Sequence, residues 1–296
     1  MKALITGAQG FVGPYLQKHL KSCGDSVTAL DRDNGPDLLE PQKWIEYIAN
    51  DIPEVIYHLA GWSNVGSSWE SPQECFQINA NGTLTVLNAA RLNNVKRVIV
   101  VSSADVYKDV KQRALSETDE LRPSSPYGMS KYAAEIIANQ FYSGYDIDVV
   151  IARPFNHIGP GQSSAFVASK FAEEIAKLEQ SNSEVFKHGN LNAARDFTDV
   201  RDVVRSYRLL AELGEPGETY NICSGNPITI QNLLKNLLSY SKVEIKTEVD
   251  QSLIRPVDCE LRYGTPEKIH KQTGWKPEHK IEETLAEILD EKRRLF

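Results

Sequence analysis

Cysteine is scarce and scattered in this chain of 296 residues. Cys23, Cys75, Cys223 and Cys259 form no C-x-x-C pair, and no histidine stands at a metal-ligand spacing from them. A disulfide framework and a zinc site are therefore not expected; thiols buried in a reducing compartment are. No apolar run is long enough to cross a bilayer. Met1-Lys2 leads straight into Ala3-Leu4-Ile5-Thr6, without the anatomy of a signal peptide. The expected setting is the cytoplasm. Basic residues are outnumbered, 33 Lys and Arg against 40 Asp and Glu, so the cation excess that neutralises a phosphate backbone is missing. Nucleic acid and membrane are not expected partners. Low-complexity tracts and repeats of solenoid period are missing too.

What the chain does have is alternation. Lys2–Thr6, Val27–Asp31, Val55–Leu59, Arg97–Ser102 and Val149–Ala152 are short apolar runs that read as buried strands. Pro14–Ser22, Pro72–Leu92 and Pro126–Tyr142 read as the helices between them. Strand–helix–strand units of this kind predict an α/β fold, with a parallel sheet covered on both faces. The second half is less regular: Phe166–Leu178 and Arg201–Leu213 read as helices, and Glu218–Cys223 as a strand. Thr229 caps a further helix, Ile230–Leu238. The expected organisation is a dinucleotide-binding domain over 1–154 and a smaller α/β substrate lobe over 155–296. Some later segments are expected to return to the sheet.

Between the first strand and the first helix lies Gly7-x-x-Gly10-x-x-Gly13. Glycines there let the backbone turn tightly and approach a phosphate, and the helix N-terminus offers unpaired N–H groups. Asp31 ends the second strand, where a carboxylate can bind ribose hydroxyls. Together these predict a Rossmann-type doubly wound domain holding NAD or NADP. Asp31 would repel a 2′-phosphate and so favours NAD, whereas the neighbouring Arg32 could attract one. The glycine spacing resembles that of the extended short-chain dehydrogenase/reductase superfamily. That resemblance implies cofactor contacts at Gly7, Gly10, Phe11, Val12 and Gly13, and at Asp31 and Arg32. His58-Leu59-Ala60-Gly61 resembles the superfamily segment beside the nicotinamide, which adds Leu59 and Ala60; Lys131 and Pro154 complete the set.

Proton transfer to a sugar oxygen needs a weak acid, and a Tyr followed four residues later by Lys can supply one. The ammonium then lies on the same helical face and is expected to lower the tyrosine pKa. The pattern occurs twice, as Tyr107 with Lys111 and as Tyr127 with Lys131. Tyr107 leads into the polar stretch Lys108–Glu120, which has no helical stripe. Tyr127 follows Ser125-Pro126, a cap and a first-turn proline, so the second pair is the expected catalytic one. Tyr107→Phe is the matching control. Ser102-Ser103 closes a strand at the end where open parallel sheets bind ligands. By the superfamily resemblance Ser103, four residues before Tyr107, is the serine that joins Tyr127 and Lys131.

The resemblance extends to the substrate. Asn79-Ala80-Asn81-Gly82-Thr83 resembles the superfamily's N-x-x-G-T helix segment. The segments Arg153–Gln162, Arg195–Asp202 and Arg255-Pro256-Val257-Asp258 resemble those of the GDP-4-keto-6-deoxymannose reductases, which reduce a GDP-linked 4-keto sugar to GDP-rhamnose. This implies Arg195 and Arg255 on the diphosphate, with Asn156 and Asp105 on phosphate or sugar; His157 reads as structural. Asp105 matches the second of two acids in relatives that remove water, and Ala104 replaces the first. Three activities stay open: a 4-ketoreductase, an epimerase or 4,6-dehydratase that recycles bound NAD, and a non-catalytic dinucleotide sensor. Relatives pair through the helices near Pro72–Leu92 and Pro126–Tyr142, so a homodimer is expected.

Overall fold

The computed structural model describes residues 1–109, 113–181, 184–253 and 259–296. The first half runs β1 (Lys2–Thr6), α1 (Val12–Ser22), β2 (Ser26–Leu30), α2 (Pro41–Asn50) and β3 (Val55–His58). It continues with α3 (Val65–Ser68), α4 (Pro72–Phe76), a π turn (Gln77–Asn81), α5 (Gly82–Leu92) and β4 (Arg97–Val101). Then come α6 (Pro126–Tyr145) and β5 (Val149–Pro154). These strands and β9 form one parallel sheet in the order β2-β1-β3-β4-β5-β9, where β9 is Thr219–Ile222. The chain steps outward from β1 to β2 and returns to the other side with β3. That reversal opens a crevice at the carboxyl ends of β1 and β3.

Alternation along each strand divides the core in two. Ala3 and Ile5, Val55 and Tyr57, Ile99, and Val150 and Ala152 face a layer that includes Leu16 and Leu20 of α1. Leu4, Ile56, Val98 and Val100, and Val149 and Ile151 face the opposite layer of Trp44, Ile48, Val86 and Phe141. Both faces are covered, which is why the strands read as continuous apolar runs.

The rest of the chain follows Pro154. It comprises β6 (Asn156–Ile158), α7 (Val167–Ser181), β7 (Val185–His188), β8 (Ala194–Asp199), α8 (Val200–Leu213), β10 (Pro227–Thr229) and α9 (Ile230–Ser239). After these come β11 (Lys246–Val249), β12 (Leu261–Arg262), α10 (Glu267–Thr273) and α11 (Ile281–Arg293). β8 is its hub, antiparallel to β10 and parallel to β12 and β6. Thr229 caps α9 as its sequence implies, accepting the amide of Asn232 at 3.1 Å. Residues beyond Pro154 also return to the large sheet: β9 extends it, and Val203, Val204 and Tyr207 of α8 join the core beneath α1.

The sequence reading named none of β6, β7, β8, β10, β11, β12, α10 and α11, and two departures lie near the crevice. α2 is an unforeseen helix; Pro41 starts it, and Trp44 and Ile48, four apart, bury its inner face. The helix expected over Pro72–Leu92 is interrupted by the π turn, and Asn79 within it accepts the Trp62 amide, a few residues past β3. Among the described residues no helix is long and apolar enough to cross a membrane.

Candidate active site

The glycine turn separates two requirements. Gly7 has φ +72°, and a Cβ on it would stand 2.7 Å from the Ala60 backbone; on Gly13 it would collide with the Ala8 carbonyl. Those two glycines are dictated by the packing of β1, the end of β3 and α1. Gly10 is exposed, and a Cβ there would meet only the Gly7 carbonyl at 3.4 Å. The fold does not need that glycine, but a backbone cradle for phosphate does. No side chain caps the N-terminus of α1, so its amides point into the turn unclaimed by a cap. Val12 opens that helix, and Phe11 stacks on His157, with ring centroids 6.0 Å apart and planes 4° from parallel.

Asp31 lies one residue past β2. Its carboxylate accepts the Gln9 and Arg32 amides, each at 2.8 Å. Asp31 and Arg32 border one cavity of about 310 Å³, together with Gly7, Leu38, Ala60 and Ile78. A carboxylate suited to ribose hydroxyls and a guanidinium suited to a 2′-phosphate thus share a wall. Leu59 and Ala60 follow β3, and Pro154 ends β5, so all three border the crevice end of the sheet. The donor set and the open cradle fit a dinucleotide.

At the crevice, Ser103 and Tyr127 come together from different elements. β4 ends at Val101, and Ser103 caps the short turn Ala104–Val106 by accepting the Asp105 amide at 3.1 Å. Ser125 caps α6 by accepting the Gly128 amide at 3.0 Å, and the Tyr127 amide donates to Ser68 Oγ at 3.2 Å. A Cβ on Gly128 would collide with the Asp105 carbonyl, so α6 sits directly on the Ser103 turn. Tyr127 is buried, with Ser103 near enough to act on its hydroxyl. Burial and then the Asp105 charge push the Tyr127 hydroxyl well above its ordinary value, with nearby Ser103 acting in the opposite direction.

The expected lowering of Tyr127 by Lys131 is not what the geometry gives. Burial brings the Lys131 ammonium itself down to about 8, and its Nζ donates to the Val101 carbonyl at 2.9 Å. The ammonium is aimed at the backbone. Next to it, Nδ1 of His58 lies 2.8 Å from Thr6 Oγ1; burial, then the charge of Lys131, brings this imidazole to about 3. Gly61 leaves room for both neighbours: a Cβ there would stand 2.6 Å from Asn79 Oδ1 and 3.4 Å from Lys131 Nζ. From the π turn, Asn79 accepts the Trp62 amide at 2.8 Å and donates to Ser130 Oγ at 2.8 Å.

Tyr107 has a different occupation. It is fully buried, donates to Asn221 Oδ1 at 2.7 Å and accepts from Arg153 at 2.9 Å. Arg153 in turn forms a two-pronged pair with Glu135, both contacts 2.7 Å. Lys111 lies outside the described residues.

On the sugar side, Asn156 is exposed at the start of β6. Arg195 of β8 donates to the Ala194 carbonyl at 2.9 Å. Arg255 lies outside the described residues. The acids beside Arg195 have structural work. Asp196 accepts from Ser224 and Gly225, and Asp199 caps α8 and accepts from Thr284. Asp202 accepts the amides of Glu278 and His279. His157 fits its structural reading, with Nδ1 3.1 Å from the Phe155 carbonyl. Asp105 is ion-paired with Arg262, which also holds Asp109. Sequence reasoning missed Arg262 because β12 is two residues long and offers no pattern.

A doubly wound sheet with this cradle and a Ser–Tyr–Lys set defines an NAD(P)-dependent enzyme of the extended short-chain dehydrogenase/reductase type. The chain belongs to the GDP-mannose 4,6 dehydratase family, whose model matches residues 4–288. GDP-6-deoxy-D-mannose reductase of Pseudomonas aeruginosa is 35% identical over 294 residues, covering 98% of this chain and 96% of that protein. GDP-mannose 4,6-dehydratase of Yersinia enterocolitica is 26% identical, covering 97% and 92%. Among solved structures, RMD from Pseudomonas aeruginosa complexed with NADPH matches with a TM-score of 0.91 at 34% identity, covering all of both chains. UDP-glucose 4-epimerase of Thermus thermophilus in complex with NAD matches with a TM-score of 0.87 at 27% identity, covering 99% of each.

Proposed function

We propose that the chain is a nucleotide-sugar 4-ketoreductase, acting on a GDP-linked 4-keto-6-deoxyhexose with NAD(P)H. The observation that carries this reading is the seating of α6 on the Ser103 turn, which brings Tyr127 and Lys131 together with Ser103 at the crevice end of the sheet. Bound NAD(P)H would supply the hydride. Gly7, Gly10, Phe11, Val12 and Gly13 would hold its pyrophosphate, Asp31 or Arg32 its adenosine ribose, and Leu59, Ala60, Lys131 and Pro154 its nicotinamide end. Tyr127 gives its proton to the sugar oxygen as charge develops there, and Ser103 hydrogen-bonds the same oxygen. Burial keeps the Tyr127 hydroxyl protonated, the form that a proton donor needs. The lobe beyond Pro154 takes the nucleotide sugar, with Arg195 and Arg255 on the diphosphate and Asn156 and Asp105 toward the sugar.

Elimination of water is a poorer fit. It needs one group to remove a proton and another to protonate the departing hydroxyl; Ala104 offers neither, and Asp105, ion-paired with Arg262, would stand alone. The test follows the disappearance of NADH and of NADPH with GDP- and dTDP-linked 4-keto-6-deoxyhexoses. Tyr127→Phe should cut turnover by about a thousandfold while dinucleotide binding persists. Near-normal turnover in that variant would remove Tyr127 from its role. Turnover by the wild type without added reductant would favour an epimerase or dehydratase instead.

The reading includes a homodimer through α5 and α6, which pack side by side. Leu84, Leu92, Met129 and Ile136 leave apolar side chains 43 to 53% exposed there, a face that a second copy would cover. Light scattering of Ile136→Glu against the wild type tests it. A cytoplasmic setting suits the four unpaired cysteines.

A further inference from the structure

Arg262 is a buried guanidinium between the catalytic turn and the second sheet. It stands on β12 opposite Arg195 of β8 and is 9% exposed. One terminal nitrogen pairs with Asp105 and the other with Asp109, while Nε has no partner among the described residues. The backbone repeats the attachment: the Leu115 amide donates to the Tyr263 carbonyl, and the Thr265 amide to the Leu115 carbonyl, both at 2.9 Å. The segment that follows Ser103 is therefore fastened to β12.

Charge is at stake as well as position. Asp105 is close enough to Tyr127 to disfavour its ionised form, and α6 rests on the Asp105 carbonyl. Arg262 places the opposite charge on that carboxylate. A buried cation that loses its water must be repaid by partners, and here one partner belongs to the catalytic turn itself. On the reductase reading, we propose that Arg262 is a positioning residue that neutralises Asp105 and holds the Ser103 turn against Tyr127. Its effect reaches the reaction through Asp105. Without it, an unbalanced carboxylate stands beside the phenol that must give up its proton, and proton transfer slows.

The experiment measures kcat and KM with NADPH and a GDP-linked 4-keto-6-deoxyhexose, and NADPH affinity by fluorescence. It compares the wild type with Arg262→Leu, Asp105→Asn and the double variant. Arg262→Leu should lower kcat at least about tenfold with NADPH affinity held within about twofold. The double variant should recover kcat to the level of Asp105→Asn, because no charge then needs balancing; a merely structural role gives no such rescue. A double variant no faster than Arg262→Leu, or Arg262→Leu with wild-type kcat, overturns the proposal. Should Arg262→Leu fail to fold, Arg262→Gln replaces it with the same outcomes. A wild type that binds NADPH but reduces no 4-keto sugar removes the reductase reading; an active wild type without rescue removes only the role of Arg262.

Discussion

Tyr107 and Tyr127 stand at the same spacing from a lysine, and burial treats them differently. Tyr127 has a serine and the open end of the sheet before it. Tyr107 is enclosed by Asn221 and Arg153, both buried and both dependent on its hydroxyl. Tyr107→Phe is consequently not a silent control. It removes one oxygen and leaves an amide oxygen and a guanidinium N–H short of a partner, at a cost of roughly 1–3 kcal/mol. Denaturant melts should show that loss, while kcat measured well below the midpoint changes little. A variant as stable as the wild type would mean that Asn221 and Arg153 find other partners. Spacing could not separate the two tyrosines. The Ser125-Pro126 start of a helix could, because it fixes which tyrosine rides on a regular element.

At the scale of elements, α6 works on both of its faces. Its inner face brings Tyr127, Ser130 and Lys131 to the crevice, and Met129 and Ile136 point outward. On the proposed homodimer, a glutamate at Ile136 should leave the fold intact and shift the protein to a monomer at micromolar concentration, since a charge buried without a partner opposes association. An unchanged dimer would move the interface elsewhere. Strand positions were legible because period-2 burial on both faces makes them continuously apolar; Lys2–Thr6 begins and ends where its sequence says. The π turn was not legible. Gln77–Asn81 has ordinary helical composition, and only its packing against α6 distinguishes it. Arg262 was hidden for a related reason, since its partners lie more than 150 positions earlier in the chain.

For the whole molecule, buried bases set the response to acid. His19, His58 and His157 are all held below the ordinary imidazole value, in each case chiefly by burial. The unfolded chain then binds protons before the folded one, so stability falls as pH drops below 6.5, and for His58 it keeps falling to about 3. His58 alone contributes about 1.4 kcal/mol per pH unit across that window. Thermal midpoints should decline steadily from pH 6.5 to pH 5, ahead of the carboxylates; a flat profile there would contradict the burial of these rings. Lys131 carries the same sign at a higher pH. Its folded value near 8 lies below the 10.5 of an exposed lysine, so the native state is penalised at neutral pH, and the penalty fades as pH rises through that interval. The cost is on the order of 3 kcal/mol. An apolar residue of the same length would make a sturdier protein, so on the proposed mechanism the chain folds around a cation that only its chemistry requires.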